Sequence, residues 1–164
     1  MTDPLTSTTV LTLATSQVAM AWSLIIAGGL GAILGLERSV AGKHAGMRTY
    51  ALVSAGSCLF VLVGSVASRE LLSMFPGVNP VQIAASIVIG IGFIGSGLVS
   101  IKNDGHAELT TASGIWMVAG IGMACGYGLY LLAIAATILA AAILTLFLKF
   151  ENGIRKKYGH EPAV

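Results

Sequence analysis

The chain has 164 residues, 55% hydrophobic and only 10% charged, with a net charge of +2 and a mean hydropathy of +0.88. A soluble domain carries about 25% charged residues because most of its surface faces water. The composition excludes a soluble enzyme, a secreted disulfide scaffold and a disordered chain, and points to an integral membrane protein.

No Asp, Glu, Lys or Arg interrupts residues 4–36, 49–68, 71–101 or 109–148. A bilayer core of ~30 Å needs about 20 apolar residues per helix, so the longest run holds two spans and the four runs hold five. Residues 1–17 read as a polar lead-in, Thr/Ser-rich from Pro4 to Ser16. Asp3 and the lack of a basic start speak against a cleaved signal peptide. The predicted spans are Val18–Leu36, Thr49–Ser68, Val81–Ile101, Thr111–Cys125 and Leu129–Leu148. Pro76 and Pro80 stop and restart helices between the second and third, and Gly126-Tyr127-Gly128 turns the chain between the fourth and fifth. Residues 149–164 form a basic tail. The fold class is all-α, a five-helix transmembrane domain over residues 18–148.

With five spans, Arg38, Lys43, Arg48, Lys102, Lys149, Arg155, Lys156 and Lys157 fall on one side and Arg69 alone on the other. The positive-inside bias places the N-terminus outside and the C-terminus inside. Trp22, Tyr127 and Tyr130 then belong at the outer interface and Tyr50 at the inner one, where amphipathic rings concentrate. Arg155-Lys156-Lys157 is expected on the anionic inner leaflet. Counted from the span starts, Cys58 and Cys125 differ in depth by ~8 Å, which argues against a disulfide.

Sliding the sequence by 62 positions aligns Ile25 with Ile87, Gly28 with Gly90, Gly35-Leu36 with Gly97-Leu98, His44-Ala45 with His106-Ala107, Thr49 with Thr111 and Gly64 with Gly126. This is either a parallel repeat of two helical hairpins about the membrane normal or the shared composition of membrane helices. Gly31-x3-Gly35, Gly122-x3-Gly126 and the run Gly90, Gly92, Gly95, Gly97 supply small faces. In lipid, close backbone approach must hold helices together, within one chain or between subunits. Residues 90–95 also match the dinucleotide fingerprint. With no preceding strand and no ribose-binding acid the match carries no cofactor.

The polar residues gather at span ends. Glu37-Arg38 closes the first span and Arg48-Thr49 opens the second. These four read either as an interfacial ion pair with topology anchors or as a cluster that binds an ion or an anionic ligand. A carboxylate directly after an apolar span favours the second. Thr110-Thr111 opens the fourth span, as a helix cap or as hydroxyls turned to that cluster. Glu37, Asp104 and Glu108 are weak candidates for a Mg²⁺ site, since that ion keeps several waters and needs one or two carboxylates. His44 and His106 read as solvated loop residues, with pH sensing the lesser reading. Nothing in the sequence forms a catalytic triad, a His/Cys metal cluster or a phosphate loop, so no enzyme is expected.

Gly31-x3-Gly35-Leu36-Glu37-Arg38, followed by Lys43-x-Ala45-Gly46-Met47-Arg48-Thr49, resembles the N-terminal signature of the MgtC/SapB family. So do Gly90-Ile-Gly92-Phe93-Ile94-Gly95-Ser96-Gly97 and Leu109-Thr110-Thr111-Ala112-x2-Ile115-Trp116. The resemblance runs from about residue 24 to 128 and covers the transmembrane domain, not the cytoplasmic regulatory domain some members carry. The chain departs from the family pattern at Gln82 and Ser86, where an Arg and a Gln are usual, and at Glu108, where Gly is usual. Membership implies a bacterial inner-membrane protein tied to magnesium homeostasis, low-Mg²⁺ growth, acid stress and, in pathogens, virulence. It also implies a modulator of other membrane machinery more than a transporter, and it singles out Glu37, Arg38, Arg48, Thr49, Thr110 and Thr111.

Two functions follow as expectations. The first is a non-enzymatic regulator that works on another transport or energy-coupling protein, because transport pathways usually show ionisable groups at membrane depth and here each lies at a span end. The second is a transporter or channel for Mg²⁺ or another small solute. A glycine-packed structural subunit is a lesser third. The expected partners are the bilayer, a second copy of the chain (a dimer first) and that other membrane protein, with no nucleic acid.

Overall fold

The computed structural model describes the backbone of residues 4–72, 81–100 and 109–157, and side chains within 16–68, 81–98, 109–150 and 152–154. The helices are α1 (Pro4–Val40), α2 (Met47–Leu72), α3 (Val81–Ser100), α4 (Leu109–Gly126), α5 (Tyr130–Ala142) and α6 (Leu148–Lys157), with a π-helical turn at Ile143–Phe147 between the last two. Five stretches are long and apolar enough to cross a membrane: Ser16–Val40, Met47–Ser68, Val81–Leu98, Leu109–Gly126 and Tyr130–Ile154. The expected all-α architecture with five spans is therefore present. The lead-in is helical from Pro4 and continuous with the first span, as a proline in the first turn permits.

Two connections show why the chain turns where it does. Gly42 has φ +68°, its N–H bonds the Ser39 carbonyl, and the Lys43 N–H bonds that of Arg38. Gly128 has φ +76°, its N–H bonds the Cys125 carbonyl, and the Leu129 N–H bonds that of Ala124. Both are Schellman caps, in which a glycine takes the left-handed conformation and two orphan carbonyls are satisfied.

Helix α4 is the centre of the bundle. It packs against α1, α2, α3 and α5, while α1 also lies along α2 and touches α5. Its buried residues, among them Thr111, Gly114, Ile115, Val118, Ile121, Gly122 and Cys125, form one broad face, with Leu109, Ser113 and Trp116 exposed on the other side. The α2–α4 crossing is glycine-built. A Cβ on Gly122 would overlap the Ser54 carbonyl oxygen, and one on Gly126 would lie 2.7 Å from Val61 Cβ and 2.9 Å from the Cys58 oxygen.

That register corrects one expectation. Residues 54 and 58 of α2 lie level with 122 and 126 of α4, so α4 begins more than a turn before α2 along their shared direction. Cys58 and Cys125 are thus neighbours across the crossing, not separated in depth, because the two helices do not begin at a common level. Both thiols are free and buried.

The interior polarity is hydroxylic. Ser23 and Tyr130 share a 2.7 Å bond between α1 and α5, and Thr137 Oγ1 donates to the Ala133 carbonyl. Thr145 Oγ1 donates to the Ala141 carbonyl at 2.7 Å, a hydroxyl-to-backbone bond of the kind that disturbs the helical ladder, inside the π-turn. Ser54 is the exception: its Oγ is buried without a hydrogen-bond partner. Ser54→Ala removes an unpaired polar atom at no packing cost. We expect it to raise thermal stability in detergent by about 1 kcal/mol, and a lower melting temperature would show a bond that this arrangement lacks.

Candidate functional site

Glu37, Arg38, Arg48 and Thr49 stand where α1 ends and α2 begins, and a stripe on α1 explains why those helices lie so close. Gly31, Gly35 and Ser39 recur every four residues and so share one face. A Cβ on Gly31 would sit 2.6 Å from the Tyr50 carbonyl oxygen and 2.8 Å from Ser54 Cβ. One on Gly35 would sit 2.7 Å from Met47 Cα and from Tyr50 Cβ. Ser39 completes the stripe by accepting the Met47 N–H on its Oγ at 2.9 Å, capping α2 from a neighbouring helix. Gly46 leaves the room for it, since a Cβ there would overlap Ser39 Oγ. Most of the first signature is thus the recipe for a close helical hairpin.

Within that frame Glu37 and Arg38 form a forked ion pair. Arg38 Nε donates to Glu37 Oε2 at 2.5 Å and Arg38 Nη2 to Glu37 Oε1 at 2.6 Å. The side chains are 3% and 18% exposed for Arg38 and Glu37 respectively. Adjacent residues on a helix do not ordinarily face each other, so the long guanidinium folds back on its neighbour. Arg38 also stands in the last turn of α1, where a cation complements the helix dipole.

The structure does not gather all the expected residues. Arg48 is exposed and makes no ion pair with any described residue. Thr49 is half-buried, Thr110 is exposed and Thr111 is buried. The link between the two hairpins runs through Tyr50, whose hydroxyl donates to the Thr111 carbonyl at 3.3 Å. Tyr50 is wholly buried and seated over Gly114, where a Cβ would overlap the phenol oxygen. It is therefore a core residue, not the interfacial ring expected; a tyrosine one residue past a charged position reads as interfacial until the facing glycine is known. Trp22 and Tyr127 are exposed and Tyr130 is half-buried against Ser23. Ser39 and Gly114 were missed, Gly46 stood in the signature without a role of its own, and Tyr50 was placed at the interface. For Ser39 alone the signal was present, as the third member of the four-residue stripe.

Among the described residues no three His, Cys, Asp or Glu side chains approach closely enough to hold a metal. Both Glu37 oxygens are already taken by Arg38, so a cation there would have to displace a guanidinium. The other weak candidates, Asp104 and Glu108, lie outside the described residues, as do Lys102 and His106.

The small faces divide into two groups. Gly31, Gly35, Gly122 and Gly126 sit at tight crossings, and Gly95 is in ordinary contact with Ala112 at 3.8 Å. Gly90, Gly92 and Gly97 face open space.

The MgtC family profile matches residues 24–153. The chain is 38% identical over 138 residues to the putative magnesium transporter YhiD of Escherichia coli K12, covering 84% of this chain and 64% of that one. It is 40% identical over 117 residues to the protein MgtC of Salmonella typhimurium LT2, covering 71% and 47%. An uncharacterized protein of Haemophilus influenzae is 32% identical over 137 residues, covering 82% and 58%. The chain thus spans about half to just under two thirds of the length of these relatives. No solved structure matches. A family match over most of the chain, on the stretch that builds the α1–α2 hairpin and the α4 crossing, shows that this chain belongs to the MgtC family.

Proposed function

We propose that this chain is a non-enzymatic regulator in magnesium homeostasis, lodged in a bacterial inner membrane with its N-terminus outside and its C-terminus in the cytoplasm. It acts through the α1–α2 rim on another transport or energy-coupling protein. The observation that carries the reading is the forked Glu37–Arg38 pair. It is the ionic feature of an interior whose other buried polar side chains, among the described residues, are hydroxyls: Ser23, Ser54, Ser57, Ser68, Thr111 and Thr137. Intramembrane pathways are usually marked by ionisable groups facing the interior, and this pair already neutralises itself. The name of the Escherichia coli K12 relative supports the link to magnesium, and the excess of Lys and Arg on one side supports the orientation.

The test is paired. Purified protein in liposomes should show no saturable Mg²⁺ flux, and Glu37→Ala in cells should abolish support of growth at low Mg²⁺. Arg48→Ala, at an exposed site, should change stability by less than about 0.5 kcal/mol while still weakening that growth. Saturable flux that Glu37→Ala removes would establish transport and overturn the regulator. Low-Mg²⁺ growth untouched by either substitution would leave the chain a structural subunit.

A further inference from the structure

Among the described residues, α6 packs against the π-turn that precedes it and not against the rest of the bundle. Its free side is apolar at first. Leu139, Ala142, Ile143, Leu146, Phe147 and Phe150 wall a depression of about 470 Å³ that runs down α5 into α6. Ile154, four residues beyond Phe150, extends the same face. Leu146, Phe147, Phe150 and Ile154 are 44–68% exposed. As far as Leu148 such a face belongs among acyl chains. From Tyr130 to Leu148 the helix rises about 27 Å, close to the ~30 Å of a hydrocarbon core, so the core ends near Phe150. If α6 ran straight on, Ile154 would stand a full turn outside it, among headgroups and water.

The remainder of α6 is cationic. Lys149 is exposed, and Arg155, Lys156 and Lys157 follow in the helix against the single carboxylate of Glu151. An aromatic and aliphatic edge beside a basic remainder is the composition of a helix that lies in the plane of an anionic leaflet. The bend this requires is built in. Thr145 Oγ1 donates to the Ala141 carbonyl at 2.7 Å and reaches that of Ala142 at 3.5 Å. The Leu148 N–H goes back three residues to the Thr145 carbonyl instead of four. A π-turn with a side chain inserted in the ladder is where helices kink. An apolar edge alone would fit many occupants, but four cations beside it at the depth of the phosphates single out lipid headgroups.

We propose that α6 is an interfacial anchor selective for anionic phospholipid. It bends at Ile143–Phe147, sinks Phe150 and Ile154 among the acyl chains of the cytoplasmic leaflet, and sets Lys149, Arg155, Lys156 and Lys157 against headgroup phosphates. The choice of leaflet rests on the orientation proposed above, whereas the anchoring does not rest on the regulatory role.

The experiment uses the full chain with Cys58→Ala, Cys125→Ala and a spin label at Ile154→Cys, in nanodiscs whose two leaflets share one composition. With phosphatidylglycerol present, oxygen should reach the label and a soluble nickel chelate should not. Arg155→Gln, Lys156→Gln and Lys157→Gln together should lower the ratio of lipid-buried to water-exposed label on the order of a hundredfold. Phosphatidylcholine alone should do the same, and so, in part, should high salt. The melting temperature should not move, because α6 stands off the bundle. Equal shielding in both lipids, insensitive to salt, would overturn the proposal. So would dipolar coupling between labels on two copies, which would give this face to self-association. Modification of Ile154→Cys from outside intact cells would overturn the cytoplasmic leaflet and the orientation with it, a failure kept separate because the nanodisc measurement is blind to sidedness.

Discussion

Gly122→Ala is expected to be the most damaging single methyl that can be added to this protein. The new carbon would overlap the carbonyl oxygen of Ser54 and press on its carbonyl carbon and Cα. The obstacle is backbone, which cannot rotate away as a side-chain end can. Relief requires α2 and α4 to separate, and that crossing also holds the Gly126 contact with Cys58 and Val61 and the Tyr50–Thr111 bond. Overpacking a well-filled interior costs typically about 1–3 kcal/mol, and this site belongs at or above the upper end. Folded yield and melting temperature in detergent should both fall sharply. Gly120→Ala, two residues away on the opposite face of α4 with nothing within 4 Å, is the matched control. It should hold or gain stability, by up to about 1 kcal/mol from helix propensity. Equal losses for the two would mean that α4 does not cross α2 at Gly122.

The contrast between Gly122 and Gly120 also marks what the sequence could and could not yield. The spans were legible because uncharged runs of bilayer length have few alternatives in water or lipid, and Gly128 was legible as a turn because left-handed backbone favours glycine. The spacing Gly122-x3-Gly126 announced a crossing but not its partner, since register between helices is set by packing far apart in the chain. Cys58 and Cys125 show the consequence: depth counted from span starts ignored the stagger of α4 past α2. Tyr50 shows the same gap at a single residue, because only Gly114, 64 positions later in the sequence, turns an apparently interfacial ring into a buried one. The charged site was half legible. Glu37 and Arg38 were found through their place at a span end, but whether Arg48 joined them depended on side-chain direction, and it does not.

The ion pair allows structural and functional roles to be separated. Removing one member of a buried pair strands the other, at about 3–5 kcal/mol when both are out of water. Glu37 is 18% exposed and Arg38 only 3%, so the two deletions should be unequal. Arg38→Ala leaves a carboxylate that water reaches in part, and about 1–3 kcal/mol is expected. Glu37→Ala strands the more deeply buried guanidinium and should cost more. In a double-mutant cycle, Glu37→Ala combined with Arg38→Met should recover most of the loss. The stranded charge is gone, and the methionine replaces the aliphatic stem that arginine contributes to packing. Melting temperatures of the four proteins in one detergent measure this directly, and a double variant no more stable than Glu37→Ala would show that the guanidinium is held by something other than Glu37. The same double variant then isolates function. A protein with near wild-type stability and no low-Mg²⁺ growth support assigns the activity to the charges at this rim, because folding has been restored without them. Full growth support from it would reduce the pair to a structural clasp and move the search for the acting surface to Arg48 and Thr49.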